Sequence, residues 1–173
     1  MDVTIRRFTE ADAGPVRELF ARINRLLAPP EQRAAFEAYI ARSITEEIGR
    51  IEDYYAEHGG AFFVAEDAGQ IAGIAGMFGL ERVSPQAMEL RRMYVAPELR
   101  RRGIAGAMLT FAEEECARRG FTTLELSTSE LQREALAFYR QAGYVLEREE
   151  VAAAASNKTI GGGIRRFYFS KTL

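Results

Sequence analysis

Between Phe36 and Tyr55 the apolar residues Phe36, Ile40, Ile44, Ile48, Ile51 and Tyr55 recur at spacings of four, four, four, three and four. This is one buried stripe of an amphipathic helix, and it predicts either one long helix or two helices broken near Gly49, ended by Gly59–Gly60. Upstream, Val3–Phe8 reads as a strand. Thr9, Glu10 and Asp12 suit a helix start, and a helix is expected over Ala13–Leu27, stopped by Pro29–Pro30. Downstream, Ala61–Ala65 and Gln70–Leu80 read as strands joined by the turn Glu66–Asp67–Ala68–Gly69. Ala87–Val95 is the next strand, and Pro97 cannot continue its ladder. A helix follows with Ile104, Met108, Ala112 and Cys116 on one face, ending at Arg118–Arg119–Gly120. Phe121–Ser127 then reads as a strand, Leu131–Ala142 as a short helix closed by Gly143, and Tyr144–Val151 and Ile164–Ser170 as two last strands. The loop Ala152–Gly163 is small, polar and glycine-rich, and is expected to be mobile. The order β-α-α-β-β-β-α-β-α-β-β implies a mixed sheet covered by helices, an α/β or α+β single domain over residues 1–173.

Composition narrows the classes of function. A chain of 173 residues with 47% hydrophobic and 28% charged residues is long enough for one real core. The net charge of −2 gives no global attraction to nucleic acid or an anionic membrane. One cysteine, Cys116, excludes a disulfide framework and a cysteine-based metal site, and the single histidine, His58, makes a His-rich metal site or a Ser–His or Cys–His pair hard to build. The N-terminus lacks the apolar stretch of a signal peptide, and the apolar run Ile71–Leu80 is too short and glycine-rich to span a bilayer. A cytoplasmic protein is expected.

The stretch Met88–Leu109, MELRRMYVAPELRRRGIAGAML, concentrates the chemistry. A strand meets a helix at a corner where Gly103, Ala105 and Gly106 remove side chains. First-turn N–H groups are unpaired and carry the positive end of the helix dipole, so such a corner attracts anions, phosphates above all. Arg100, Arg101 and Arg102 add charge of the same sign. The bland reading of these arginines is a solvated loop. A second use, single-strand nucleic acid on an Arg91–Arg102 patch, wants exposed aromatic platforms that Tyr94 alone hardly supplies.

RRRGIA at Arg100–Ala105 fits the pattern Arg/Gln-x-x-Gly-x-Gly/Ala and, after the strand ELRRMYV, resembles the acetyl-CoA signature of the GNAT N-acetyltransferase superfamily. ALAFYRQAGY resembles the family's helix bearing Phe-Tyr. RRFYFSKTL and IRRFTEAD resemble its last and first strands. The resemblance covers nearly the whole chain, with Glu31–Glu57 its least typical part. It implies a mostly antiparallel mixed sheet flanked by helices and an enzyme that takes acetyl-CoA as co-substrate, with no metal. The implied coenzyme site comprises Met93, Tyr94 and Val95, whose main chain would align the pantetheine arm, and Arg100, Arg101, Arg102, Gly103, Ile104, Ala105 and Gly106 around the pyrophosphate. Gly106 stands where relatives often carry a larger residue. The implied acceptor is an amine, on a small molecule or a protein; a homodimer stays open, membrane binding is not expected and nucleic acid is disfavoured.

The resemblance also assigns candidate chemistry. Tyr139 matches the tyrosine near the coenzyme sulfur, a candidate general acid, against a packing role beside Leu131 and Ala135. Phe138 is expected in the core. Glu89 is the candidate base, with an Arg91 salt bridge as the alternative. Glu125, Ser127, Thr128 and Ser129 are further polar candidates near the cleft. Cys116 reads as core, and His58 as an exposed residue with a lesser claim on substrate. Glu46 and Glu47 either draw a cationic amine or lie on a solvated face. A non-catalytic acyl-CoA-binding module of the same fold is the alternative function.

Overall fold

The computed structural model describes residues 3–67 and 73–173. It contains the strands β1 (Val3–Arg7), β2 (Ala61–Asp67), β3 (Gly76–Arg82), β4 (Ala87–Val95), β5 (Thr123–Ser129), β6 (Val145–Ala152) and β7 (Ile164–Thr172). The helices are α1 (Ala13–Leu27), α2 (Arg33–Glu46), α3 (Ile51–Glu57), α4 (Ile104–Arg118) and α5 (Arg133–Gln141). The apolar stripe is divided where the spacing shortens. Glu47 leaves helical geometry at φ −139°, and Ile48–Arg50 makes a single 3-10 turn. A side chain on Gly49 would lie 2.6 Å from the Ile44 carbonyl oxygen, so the turn needs glycine there. β3 begins at Gly76, after Ala75 has donated to the Ala65 carbonyl at 2.8 Å. The expected turn at Ala68–Gly69 and the first residues of the expected strand, 70–72, lie outside the described residues. β5 starts at Thr123, two residues later than expected, because the Phe121 amide closes α4 by donating to the Cys116 carbonyl at 3.0 Å.

The seven strands form one sheet in the order β1-β2-β3-β4-β5-β7-β6. Every pairing is antiparallel except that of β4 with β5. That parallel ladder runs only over Ala87–Glu89 and Thr123–Glu125, after which the two strands part. Alternation in β2 sends neighbouring rings to opposite faces. Phe62 meets Tyr55 of α3, whereas Phe63 stacks on Phe78 and meets Phe111 of α4. Helices therefore cover both faces, and α1 reaches β4 through the Phe20–Tyr94 contact.

One irregularity in β4 shapes everything that follows. Met77 lies opposite Tyr94 and Gly79 opposite Arg91, so two steps along β3 face three along β4. The extra residue is Arg92, at φ +55°. A bulge of this kind breaks alternation and re-aims side chains. It sends consecutive arginines, Arg91 and Arg92, to the same buried carboxylate of Glu47. An arginine at positive φ costs about 1–3 kcal/mol and persists only where its surroundings over-determine it. Here those surroundings are the ion pairs described below.

Candidate active site

The parting of β4 and β5 opens a cleft of about 1210 Å³. Glu89, Met93, Tyr94 and Val95 line it from β4, Arg100, Arg101, Gly103, Ile104, Ala105 and Gly106 from the start of α4, and Tyr139 from α5. Of the coenzyme-site residues expected from sequence, Arg102 alone is outside the lining, and its side chain is exposed. Asn157–Ile160 close the far side.

The corner before α4 leaves its backbone donors unpaired. Arg101 at φ +63° and Gly103 at φ +80° both adopt left-handed backbone, a conformation found where successive N–H groups form an anion-binding concavity. The first amide to return a bond is that of Ala107, donating to the Gly103 carbonyl at 3.0 Å. Among the described residues, the N–H groups of residues 101–106 have no acceptor. Side chains built on Gly103 or Gly106 would meet nothing within 4 Å, so open space lies beside both residues. Unpaired donors, open space and the dipole of a fifteen-residue helix fit a pyrophosphate. The arginine side chains are solvated; Arg101 comes no closer to a carboxylate than 3.9 Å, at Glu134.

Tyr139 is buried, its ring packed on Phe138, Tyr144 and Phe169. Among the described residues no protein group hydrogen-bonds its hydroxyl. Burial, with Tyr94 nearby adding in the same direction, pushes its phenol well above the usual tyrosine range, so it holds its proton. Phe138, expected in the core, is only half-buried and lines the cleft. The short α5 turns its deepest position to Tyr139 instead, since Tyr144 and Phe169 of the neighbouring elements wait there.

Across the cleft lies a buried ion cluster. Glu47 is fully buried and accepts from Arg91, from Arg92 Nε at 3.1 Å and from the Tyr55 hydroxyl at 2.6 Å. Burial pushes its carboxyl up, but Arg92 and Arg91 outweigh burial and hold it at about 2. Arg92 also lies between the rings of Phe20 and Tyr39, at 5.1 and 5.5 Å. Gly79 makes room for Tyr55, because a side chain there would stand 2.4 Å from the phenol oxygen. Glu81 accepts from the Tyr54 hydroxyl at 3.0 Å, while its Oε2 lies 3.4 Å from Arg91 Nε without hydrogen-bond alignment. Glu89 stands at the cleft edge of the cluster, 3.4 Å from Arg91 and 3.2 Å from Lys158 Nζ. These positions correct two expectations. Glu47 is on no solvated face, although Glu46 is exposed. The Arg91–Arg102 patch is not one continuous surface: Arg100, Arg101 and Arg102 are exposed, but Arg91 and Arg92 are buried and ion-paired with Glu47, Arg91 also with Glu81 and Glu89.

Residues 20–144 match the Acetyltransferase (GNAT) family model. The chain belongs to that family. It is 33% identical over 112 residues to N-acetyltransferase family 8 member 3 of Rattus norvegicus, covering 63% of this chain and 49% of the relative. It is 31% identical over 90 residues to the uncharacterized N-acetyltransferase YjgM of Escherichia coli, covering 52% of this chain and 54% of that one. The matches thus span about half the length of these curated relatives. The PaiA N-acetyltransferase of Thermoplasma acidophilum, solved in complex with coenzyme A, superposes with a TM-score of 0.76 over 100% of both chains at 18% identity. At that identity the likeness is one of fold, the α+β GNAT fold.

Within this GNAT chain the serine and threonine candidates of β5 have structural partners. Ser127 accepts from Arg166 at 2.9 Å, Thr128 donates to Gln132 at 2.9 Å, and Ser129 accepts from the Leu131 amide at 3.3 Å. Glu125 is exposed and lines, with Glu89 and Glu147, a smaller hollow of about 290 Å³. His58 is partly exposed, stacks on Tyr54 and lies 3.7 Å from Glu81. Cys116 is buried, and burial pushes its thiol up to about 12, which keeps it protonated at neutral pH. No helix among the described residues is long and apolar enough to cross a membrane, and no group of metal-binding side chains occurs among them. Sequence reading missed Glu81, Tyr39 and Lys158, and mistook Glu47. A signal for Glu47 was present: it lies three residues after Ile44 and four before Ile51, on the apolar stripe itself.

Proposed function

We propose that this chain is an acetyl-CoA-dependent N-acetyltransferase that acetylates a primary amine by direct attack, with no covalent acetyl-enzyme. The observation that carries the reading is the set of acceptor-less N–H groups at residues 101–106, facing the same open cleft as the protonated Tyr139. When bound, acetyl-CoA supplies an acetyl group on a thioester and departs as the free thiol. The corner from Arg101 to Gly106 holds the pyrophosphate. The main chain of Met93, Tyr94 and Val95, left without a β5 partner by the parting of the strands, aligns the arm. Tyr139 gives a proton to the leaving sulfur. Cys116, buried and protonated, takes no part.

A lysine-like amine with a pKa near 10.4 is only about 0.04% neutral at pH 7, a cost of about 4.6 kcal/mol. We assign the removal of that proton to Glu89, which lines the cleft at the edge of the ion cluster.

Thiol release from acetyl-CoA with a panel of primary amines tests the reading. Tyr139→Phe should lower kcat about 100-fold while leaving coenzyme affinity unchanged. Tight coenzyme binding without turnover across the panel would favour the non-catalytic acyl-CoA-binding module. Glu89→Gln should reduce turnover most at neutral pH, the loss shrinking as pH rises toward the acceptor's own pKa. A lower unfolding midpoint with turnover intact would instead make Glu89 a purely structural partner of Arg91.

A further inference from the structure

Lys158 Nζ is a primary amine inside the cleft. It lies 3.2 Å from Glu89 Oε1 and 3.4 Å from Glu81 Oε2, with the side chain 47% exposed. Its position is held by the backbone on either side. The Asn157 carbonyl accepts from Arg92, the Ser156 carbonyl accepts from Arg42 at 3.3 Å, and the Asn157 amide group donates to Glu47 at 3.4 Å. The turn itself is closed by the Ser156 amide on the Thr159 carbonyl at 2.8 Å and by the Lys158 amide on Ser156 Oγ at 3.0 Å. A loop whose composition suggests mobility is thus anchored to the buried ion cluster, and the anchored turn presents one amine to the carboxylate proposed as base. The chain's other lysine, Lys171, is differently placed: its Nζ is shared between Glu113, at 3.1 Å, and the Ala142 carbonyl, at 2.9 Å.

We propose that Lys158 is an acetylation site of this protein, modified in cis by its own active site. The inference rests on the acetyltransferase reading given above, and specifically on Glu89 as base. In the step, a bond forms between Nζ and the acetyl carbonyl carbon, and the carbon–sulfur bond breaks. The ammonium loses two protons: one passes to Glu89 and on to solvent, and the other ends on the thiol sulfur, delivered by Tyr139. The product amide is uncharged, so the pairings with Glu81 and Glu89 are lost. Arg91 is then the remaining cation beside both carboxylates.

The test is incubation of the purified chain with acetyl-CoA and no added amine, followed by intact-mass measurement and peptide mapping. The expected result is one acetyl group per chain, on Lys158 and not on Lys171. Its rate per chain should be independent of dilution. Lys158→Arg keeps the cation and should take up no acetyl group, and Glu89→Gln should slow uptake by on the order of 100-fold. Equal labelling of Lys171, or equal labelling of heat-denatured chain, would make the reaction chemical and overturn the proposal. A rate per chain that rises with protein concentration would overturn modification in cis. An unlabelled Lys158 in a chain that acetylates external amines would overturn this proposal alone. Absence of coenzyme A binding by calorimetry would overturn the acetyltransferase reading, and this proposal with it.

Discussion

Gly103→Asp is expected to weaken coenzyme A binding by at least about 100-fold, a loss of roughly 2.7 kcal/mol. Gly103 holds φ +80° at the cap of α4, and a Cβ there projects into open space with no neighbour within 4 Å. The added carboxylate should therefore bring negative charge beside the unpaired N–H groups of this corner and compete for them. It also repels the pyrophosphate they are proposed to hold. Asparagine is the matched control, because aspartate and asparagine tolerate left-handed backbone better than other side chains. Gly103→Asn adds the same bulk without charge and should lose far less affinity. Titration calorimetry of both variants with coenzyme A, with circular dichroism to verify folding, checks the expectation. Equal affinity of Gly103→Asp and the unmodified chain would place the phosphates elsewhere. Similar losses in both variants would assign the effect to bulk and backbone.

The second large effect falls on stability. Glu47→Gln leaves Arg91 and Arg92 buried with their principal counter-charge removed. Breaking a buried pair from one side costs about 3–5 kcal/mol, because the orphaned charge keeps its desolvation penalty. Equilibrium unfolding in urea should register that loss at pH 7. The pH dependence has a definite sign. The Glu47 carboxyl is held at about 2 in the fold, below its ordinary value of 4.5. Its contribution is therefore fully present above the ordinary carboxylate range and disappears as pH falls from there toward 2. The difference in unfolding free energy between the unmodified chain and Glu47→Gln should accordingly be largest at neutral pH and shrink toward pH 2. A difference that is absent at pH 7, or that grows on acidification, would mean that the cluster does not stabilise the fold. Since this cluster also anchors the turn carrying Lys158, the variant should lower acetyl uptake at that lysine as well.

Much of the architecture was legible because it follows from short-range rules. The apolar stripe from Phe36 to Tyr55 required a helical face, and its shortened spacing at Ile48–Ile51 marked the place where Ile48–Arg50 forms a 3-10 turn. Pro97 ended β4, and the small residues from Gly103 to Gly106 marked the corner where α4 begins with its amides unpaired. Patterns of this sort are local, and the backbone obeys them almost regardless of what packs around it.

Other features depended on neighbours distant in the chain. Phe138 and Tyr139 are adjacent apolar-bodied residues on one short helix, and the rings of Tyr144 and Phe169 decide that Tyr139 takes the deeper place. Regular alternation would send the neighbours Arg91 and Arg92 to opposite faces of the sheet. The bulge, visible only in the register of β4 against β3, turns both inward.

The amino-acid sequence by itself determined most of the helices and strands, their order, and the corner of small residues where α4 begins, because periodicity, proline and glycine act within a few residues. Only the tertiary structure decided that β4 and β5 part after Glu89, that Glu47 is buried between two arginines 44 and 45 residues further on, and that Lys158 reaches Glu89 across 69 residues of chain. Those outcomes depend on strand register and on which charges share a low-dielectric interior. Electrostatic attraction acts through space, so no local pattern in the chain encodes which carboxylate a given cation will meet.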